Sequence, residues 1–258
     1  MATTIASTTN SQIKHLQNLL KKASLRRKEG LYVVEGWRSV GEIPAELIEE
    51  IYLAESKSDK TKELKKRPIL VADWVMEAVS ETQTSQGVIA IVRMKKSETP
   101  DFNKGGLFLC CEHLQDPGNL GTIIRMSEAA GVNALILSQD TVDIYNPKVV
   151  RATMGAILRV HIYTTEDFLQ TIEDMKKSGV AVYGAALEES VDYAEVDYTS
   201  SSAFIIGNEG NGMTEEAKRA CTGLVRIPME GSVESLNASV AAAVLTFEAY
   251  RQRRIKNK

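Results

Sequence analysis

Cysteine is scarce in this chain of 258 residues. Three occur, at positions 110, 111 and 221, and no two of them form a C-x-x-C pair. Zinc sites and disulfide frameworks both require regularly spaced cysteines, so we expect neither, and no metal. Two adjacent cysteines on an apolar stretch are instead typical of small buried side chains in a reducing compartment.

Long apolar runs are also missing. No run approaches the roughly twenty residues that a membrane span needs, and the first residues, MATTIASTTNSQIKHLQ, lack the apolar core and cleavage site of a secretory signal. The composition, 43% hydrophobic and 25% charged, is that of an ordinary soluble globular protein. We therefore expect a cytoplasmic protein.

The chain has little net charge, −3, but its charge is uneven. Residues 1–98 carry 16 basic and 13 acidic side chains, and residues 99–258 carry 15 and 21. A local basic patch indicates a polyanionic partner, although a run of this length taken alone is better explained as a solvated helix end. The patch is a candidate binding site only if the rest of the chain binds or modifies nucleic acid. Its members are Lys14, Lys21, Lys22, Arg26, Arg27 and Lys28.

The first hundred residues read as a small α/β module. Helical spacing of Ile13, Leu16, Leu19 and Leu20 predicts an amphipathic helix, and short strands and helices alternate after it. The polar segment KKSETPDFNKGG follows, and its proline and glycines are typical of a linker. We predict a first domain at 1–98 and a linker at 99–106.

Residues 107–258 show a strong βαβ pattern. Continuous apolar strands such as LFLCCEHL, NALILSQ and SAFIIG alternate with helical segments, which predicts an α/β fold with a parallel sheet covered on both faces. In such sheets, ligands bind beyond the carboxyl ends of the strands. Three polar clusters follow strands in this region, and each is a candidate for part of a binding site.

The first cluster is HLQDPGNLGTIIRMSEAAG, residues 113–131. Its D-P-G turn leads into a helix that Asn119 can cap, and Gly121 permits close approach of a backbone. Arg125 then lies about one and a half turns into the helix. An ordinary capped helix with a surface arginine explains this cluster equally well.

The second cluster is FIIGNEGNGM, residues 204–213. Its glycines occur as G-x-x-G-x-G, the reverse of the dinucleotide fingerprint G-x-G-x-x-G, and Glu209 stands within the loop. A carboxylate there repels phosphate but suits a ligand with hydroxyl groups and positive charge. Three glycines, two asparagines and a glutamate exceed what a tight turn requires.

The third cluster, IPMEGSVESLNAS, ends a strand and opens the last helix. One capping residue would suffice, yet Glu234, Ser235 and Asn237 all surround the helix start. Helical spacing of Leu236, Val240, Val244 and Phe247 predicts the core-facing stripe of that helix. The alanine and serine face next to it would allow another backbone to approach closely.

The three clusters together resemble, in order and wording, the signature motifs of the SpoU/TrmH RNA 2′-O-ribose methyltransferases of the SPOUT superfamily. The resemblance covers residues 107–251, and the segment from SQIKHLQNLL to SQGVIAIV is similar to the small substrate-binding domain of that family. It implies a deep trefoil knot in the C-terminal domain, a ribosomal-protein-like (L30e-like) N-terminal domain, a homodimer formed through the C-terminal domain, and S-adenosylmethionine as cofactor. It also implies a cofactor site at Ala185, Ala186, Leu187, Gly207, Asn208, Glu209, Gly210, Gly212, Ile227, Met229, Leu236 and Asn237.

The resemblance further implies that Arg125 is the catalytic residue, with Asn119, Glu209, Ser235 and Asn237 in support. A guanidinium group cannot be deprotonated in proteins. We therefore expect Arg125 to bind a phosphate and stabilise a developing alkoxide rather than to act as a base. The basic patch would then contact the phosphates of a structured RNA.

The expected function is methylation of a ribose 2′-hydroxyl, in 23S rRNA because of the additional N-terminal domain. A tRNA 2′-O-methyltransferase is the alternative. A non-catalytic RNA-binding assembly factor would have no chemical need for the five polar residues, and a nucleotide-dependent oxidoreductase is disfavoured by the reversed glycine order.

Overall fold

The computed structural model describes residues 4–232 and 235–256. Helices and strands alternate along most of the chain. The helices are α1 (Ser11–Lys21), α2 (Ala23–Glu29), α3 (Trp37–Glu42), α4 (Asp73–Val79), α5 (Pro117–Ala129), α6 (Pro147–Ala152), α7 (Phe168–Lys177), α8 (Glu215–Ala220) and α9 (Ala238–Lys256). The strands are β1 (Leu31–Glu35), β2 (Ile48–Ala54), β3 (Ile69–Val71), β4 (Val88–Arg93), β5 (Leu107–Cys111), β6 (Ala134–Ser138), β7 (Ile162–Thr165), β8 (Ala181–Ala185), β9 (Val191–Asp192), β10 (Ser202–Ile206) and β11 (Gly223–Arg226). None of the described helices is long and apolar enough to cross a bilayer.

The chain forms two compact units. One contains the residues up to Lys96 together with Asp143–Leu158, and the other contains Ser97–Val142 and the residues from Arg159 onward. The first unit therefore includes Asp143–Leu158, which the sequence pattern assigns to the second domain, and the second unit includes the predicted linker and the two residues before it. Arg26 donates to the carboxylate of Asp143 at 2.6 Å and 3.0 Å, and this pair ties the segment to the first unit.

The first unit is built on a four-stranded sheet in the order β1-β4-β2-β3, in which only β2 and β3 pair in parallel. The predicted amphipathic helix is α1, and all four of its apolar positions are buried. They pack with residues of β2, β4 and α4 in one core. The segment NPKVVRATMGAI is helical only to Ala152, because Met154 and Gly155 both take positive φ angles.

The second unit contains a seven-stranded sheet in the order β7-β6-β5-β10-β8-β11-β9, and every pairing in it is parallel. The predicted α/β fold with a parallel sheet is therefore confirmed. Every residue of β5, β6 and β10 is buried, as expected for central strands covered on both faces. The two-residue edge strand β9 gave no sequence signal. Because all strands run the same way, their carboxyl ends meet at one edge of the sheet.

Helix α9 packs against α5, β5 and β10, but not through the predicted face. Val240 and Phe247 of the predicted core stripe are 47% and 41% exposed, and Leu236 and Val244 are half-buried. The buried positions are mostly small, namely Ala238, Ser239, Ala242, Leu245, Thr246 and Ala249. The predicted stripe was wrong because small side chains let α9 lie closer to its neighbours than large ones would.

Candidate functional site

The three polar clusters meet at the carboxyl edge of the parallel sheet. The first follows β5, the second follows β10 and the third follows β11. Strands β5 and β10 are neighbours, and β8 separates β10 from β11. The loops that the sequence analysis singled out therefore leave strands that lie side by side, which brings residues more than a hundred positions apart into contact.

A chain of side-chain hydrogen bonds joins the three clusters. The Nδ2 atom of Asn237 donates to Oδ1 of Asn119 at 2.9 Å, and Nδ2 of Asn119 donates to Oε1 of Glu209 at 3.1 Å. Asn119 is 8% exposed, so it occupies the middle of this chain and bonds to both other clusters. We call Asn119, Glu209 and Asn237 the polar relay.

The carboxylate of Glu209 also holds the loop that precedes α5. The backbone N–H of Asp116 donates to Oε1 at 2.9 Å, and that of Gln115 donates to Oε2 at 3.0 Å. Partial burial raises the pKa of Glu209, but the hydrogen bonds from Gln115, Asn119 and Asp116 outweigh it and leave the pKa below its usual value. Glu209 is therefore held as a carboxylate that closes the loop.

Both helix starts at the site are capped, but by residues that only partly match the prediction. Asp116, not Asn119, is the N-cap of α5, and its side chain accepts from the backbone N–H of Asn119. Pro117 occupies the first turn, where a missing N–H costs nothing. At α9, Oδ1 of Asn237 accepts from the backbone N–H and the hydroxyl of Ser239. The side chain of Asn237 therefore caps α9 and bonds to Asn119 at the same time.

The loop after β10 is a tight turn closed by its own backbone. Asn208 and Gly212 exchange two backbone hydrogen bonds of 2.9 Å, and Oδ1 of Asn208 accepts from the N–H groups of Gly210 and Asn211. Gly207 lies so close to the returning backbone of this turn that a Cβ atom there would be 2.2 Å from the carbonyl carbon of Gly212. This position therefore admits only glycine.

A cavity of about 360 Å³ opens beside these loops, within the range of about 300–1,000 Å³ typical of small-molecule sites. Eleven of the twelve predicted cofactor residues line it, and Asn237 does not. Ser235 also lines it, whereas Glu234 lies outside the described residues. The lining that the prediction included is Ala185, Ala186, Leu187, Gly207, Asn208, Glu209, Gly210, Gly212, Ile227, Met229 and Leu236.

Further lining residues were not predicted from the sequence. Those adjacent to predicted positions could have been found by extending each motif by one or two residues. Three others lie on helices and are brought to the cavity only by the folding of the chain, so no local sequence pattern indicates them: Lys218 on α8, and Ala241 and Leu245 on α9. The additional lining residues are Glu188, Ile206, Asn211, Met213, Lys218, Val225, Arg226, Ala238, Ala241 and Leu245.

Arg125 stands on the exposed face of α5 and does not line the cavity. Within the described part of the chain it makes no hydrogen bond or ion pair, so its guanidinium group is available to a ligand. Glu112, which the sequence analysis did not single out, is buried and accepts from the backbone N–H and hydroxyl of Thr214. It fixes the start of α8 beside the cavity. Among the described residues no cluster suited to a metal ion occurs.

Replacing Glu209 with glutamine should lower the melting temperature by about 2–4 °C at neutral pH. That corresponds to about 1 kcal/mol, a low value for a charged hydrogen bond because the side chain is partly exposed. Since the pKa of Glu209 is lowered, its stabilisation is present above the ordinary glutamate pKa and is lost as the pH falls through the lowered value. The difference in melting temperature between the native protein and the Glu209→Gln variant should therefore become smaller in acid.

Differential scanning calorimetry from pH 7 to pH 3 measures this gap. Glu166→Gln is the matched control, because Glu166 is exposed and has no partner among the described residues. A gap that stayed constant across the range would show that the carboxylate charge of Glu209 contributes nothing to stability.

Comparisons with known proteins place both regions of the chain. The SpoU rRNA Methylase family matches residues 106–247, and the MRM3-like substrate binding domain matches residues 10–90. The chain is similar to the 23S rRNA (guanosine(2553)-2′-O)-methyltransferase RlmP of Bacillus subtilis, with 31% identity over 94% of this chain and 97% of the relative. It is 34% identical to the 23S rRNA (guanosine-2′-O-)-methyltransferase RlmB of Bordetella pertussis, over 81% of this chain and 91% of the relative.

Solved structures agree with these similarities. An rRNA methyltransferase from Sinorhizobium meliloti with bound AdoMet superposes with a TM-score of 0.83 at 29% identity, covering 96% of this chain and 97% of that one. The similarity therefore extends over both compact units.

Proposed function

The chain belongs to the SpoU rRNA methylase family, and from that premise we propose that it transfers a methyl group from S-adenosylmethionine to a ribose 2′-hydroxyl of 23S rRNA. One observation carries the proposal: the polar relay joins all three family motifs beside a cavity of about 360 Å³. The relatives named above act on 23S rRNA by their names, which supports this RNA over tRNA.

The cavity suits S-adenosylmethionine in shape and chemistry. Leu187, Ile227, Leu236 and Leu245 provide apolar surface for an adenine ring, and backbone groups of the Gly207–Met213 loop lie along one side. Carboxylates and cations both line it, which matches a ligand with hydroxyl groups, an ammonium group and a carboxylate. A pocket for a dinucleotide would instead present backbone N–H groups to phosphate, and Glu209 opposes that.

The residues of the chain have two tasks in this reaction. When bound, S-adenosylmethionine supplies a methyl group already activated by its sulfonium, so alignment and exclusion of water remain for the protein. The polar relay holds the loops in register and acts as a positioning device, since its polar atoms are used between the motifs. Arg125, which has no partner in the described part of the chain, binds the phosphate next to the acceptor ribose and stabilises the developing alkoxide.

We assign a trefoil knot to the second unit and a ribosomal-protein-like, L30e-like fold to the first. Family membership supports both assignments. In the second unit, support comes from a strand order in which β8 separates β10 from β11. In the first unit, support comes from the mixed four-stranded sheet flanked by helices. A crystal structure whose chain trace passes through no loop would refute the knot.

The domain boundaries stay as a proposal: substrate binding by residues 1–98, a linker at 99–106, and methyl transfer by residues 107–258. Matches of the substrate-binding domain to residues 10–90 and of the methylase family to residues 106–247 support it.

The rRNA named for the relatives also supports the predicted cytoplasmic location.

We propose that the exposed apolar side chains of α9 form the homodimer interface of the second unit. Val240, Phe247 and Tyr250 are 47%, 41% and 37% exposed, and the rings of Phe247 and Tyr250 contact each other edge to face. Several large apolar side chains exposed on one helix are typical of interfaces. Sedimentation equilibrium at micromolar concentration tests the proposal, and a monomer mass there would contradict it.

The basic patch of the first unit is proposed to bind RNA phosphates, with one member removed. Arg26 is 3% exposed and donates to the carbonyls of Leu19 and Leu20 as well as to Asp143. Its prediction as an RNA contact was wrong, because a guanidinium fixed by three partners inside the unit cannot reach a phosphate. The remaining members are exposed and have no partner in the described residues: Lys14, Lys21, Lys22, Arg27 and Lys28.

Replacing Arg27 and Lys28 with glutamine should weaken binding to 23S rRNA and flatten its salt dependence. Each phosphate contact contributes about 0.7–0.9 to the slope of log K against log salt concentration, so the slope should fall by about 1.4–1.8. Filter binding of transcribed 23S rRNA at salt concentrations from about 50 mM to about 300 mM measures this slope.

The matched control replaces Lys104 and Lys177, two exposed lysines of the second unit. Both double variants lose the same net charge, so a local contact affects only the first. Equal slopes in the two variants would mean that the basic patch is an ordinary solvated surface.

Two experiments test the function itself. Calorimetry with S-adenosylmethionine and with NAD should give saturable binding for the first ligand alone. Mapping of 2′-O-methylation in rRNA and tRNA from cells with and without the gene should then show loss of one ribose mark in 23S rRNA. Loss of a tRNA mark would favour the alternative substrate, and unchanged RNA of both kinds would favour a non-catalytic factor.

A further inference from the structure

Four charged side chains line the cavity, and three of them are already used by the protein. Glu209 accepts three hydrogen bonds from the loop before α5 and from Asn119. Lys218 pairs with Glu215 at 2.7 Å, and Arg226 donates to the carbonyl oxygen of Ser190. Glu188 is exposed and has no hydrogen bond or ion pair within the described part of the chain. Its carboxylate is thus the lining charge that remains for a ligand.

The strand order indicates which part of the ligand reaches Glu188. This residue lies three positions beyond the end of β8, and β10 separates β8 from β5. Neighbouring strands are about 4.8 Å apart, so the end of β8 is about 10 Å from the end of β5, after which Asn119 and Arg125 follow. The reacting methyl group must face that β5 side. The adenosine portion of the cofactor therefore extends toward β8.

The apolar lining leads to the same orientation. Leu187, Ile227 and Leu245 surround the part of the cavity between β8, β11 and α9, and adenine is the large apolar part of the cofactor. The ribose is attached directly to adenine and carries two neighbouring hydroxyl donors. Glu188 follows Leu187 in the chain and lines the same cavity, so its carboxylate is the charged group next to this apolar surface in the sequence.

We infer that Glu188 binds the cofactor by accepting hydrogen bonds from its ribose hydroxyl groups. The inference rests on the proposed use of S-adenosylmethionine and adds the residue that recognises its ribose. An ionised carboxylate accepts from both hydroxyls at once, and charged acceptors form stronger hydrogen bonds than neutral ones.

The Glu188→Gln variant tests this, because glutamine keeps the shape of the side chain but replaces one acceptor by a donor. Affinities for S-adenosylmethionine, S-adenosylhomocysteine and 5′-methylthioadenosine are measured by calorimetry. All three share the ribose, so each should bind about tenfold more weakly to the variant, equivalent to about 1.4 kcal/mol. In competition experiments, adenosine should outcompete 2′-deoxyadenosine in the native protein, and the variant should lose most of this preference.

Glu189→Gln is the matched control. Glu189 is the neighbouring exposed carboxylate, and it acts on Lys218 electrostatically as Glu188 does, but it does not line the cavity. Its replacement should leave all three affinities unchanged. An equal loss in both variants would assign the effect to general electrostatics and overturn the inference.

Other outcomes contradict the inference in identifiable ways. Weaker binding of both S-adenosylmethionine and S-adenosylhomocysteine, with unchanged 5′-methylthioadenosine binding, would place Glu188 on the ammonium group, which methylthioadenosine lacks. A loss for S-adenosylmethionine alone would place it near the sulfonium charge, and no loss for any ligand would leave it as a solvated side chain. Failure of the native protein to bind S-adenosylmethionine would instead refute the proposed function.

Discussion

Replacing Arg125 with alanine should reduce methyl transfer by about 10²–10³-fold while S-adenosylmethionine still binds. The loss is of the size found when one group that stabilises a developing negative charge is removed. Cofactor affinity should persist because Arg125 does not line the cavity. Its side chain is exposed and makes no bond within the described residues, so the fold should not depend on it. Single-turnover methylation of 23S rRNA and calorimetry with the cofactor measure the two quantities separately.

Two further variants sharpen this prediction. Arg125→Lys keeps the charge but not the planar fork of donors, so its activity should lie between those of the native protein and the alanine variant. Thr122→Ala changes another exposed position of α5 and should leave the rate unchanged. Parallel loss of methyl transfer and cofactor binding in Arg125→Ala would refute its assignment to the acceptor side of the site.

The sequence was most informative where a short segment contains more polar residues and glycines than its turn or helix cap requires. Six residues, GNEGNG, contain more glycine and amide groups than a turn requires, and the structure uses them for a close backbone passage and for contacts with other loops. A strand followed by such a loop can be identified within a short window. These clusters carried the family resemblance, and the positions that it implied for the cofactor site, such as Gly207, Ile227 and Leu236, do line the cavity.

Long-range pairing explains what the sequence did not reveal. Arg26 belongs to a basic run that resembles a nucleic-acid contact, yet its partner Asp143 is 117 residues away. No local pattern distinguishes a buried guanidinium from an exposed one. Asp143–Leu158 belongs to the first unit, and this ion pair joins it there. The βαβ pattern of the sequence assigns the same segment to the second domain.

Helix α9 shows a different limit. Two stripes of helical spacing run along it, a large apolar one through Val240 and Phe247 and a small one through Ala238, Ala242 and Ala249. Hydrophobicity alone favours the large stripe as the core. The small stripe is buried instead, because it packs against α5 and two central strands. Burial of the small residues leaves Val240 and Phe247 exposed.

Replacing Gly207 with alanine should destabilise the protein and abolish cofactor binding. The added Cβ would be 2.2 Å from the carbonyl carbon of Gly212 and 2.3 Å from the backbone nitrogen of Met213. Both neighbours are backbone atoms, so a rotamer change cannot relieve the clash and the whole loop must shift. Overpacking of this kind costs about 1–3 kcal/mol, or a fall of about 2–12 °C in melting temperature for a chain of this size. Thermal unfolding and calorimetry with S-adenosylmethionine measure both effects.

Two other glycines provide control variants, which show whether any substitution in these loops is harmful or only one that causes a steric clash. A Cβ at Gly210, in the same loop, would meet only Oδ1 of Asn208 at an ordinary 3.6 Å, and one at Gly231 would have nothing within 4 Å. Gly210→Ala should therefore keep the native melting temperature, and Gly231→Ala should keep both stability and cofactor affinity. If Gly207→Ala behaved like these two, the loop after β10 would have room to yield. The close passage would then not be what shapes the cavity wall, and the geometry on which cofactor binding depends would have to come from the polar relay alone.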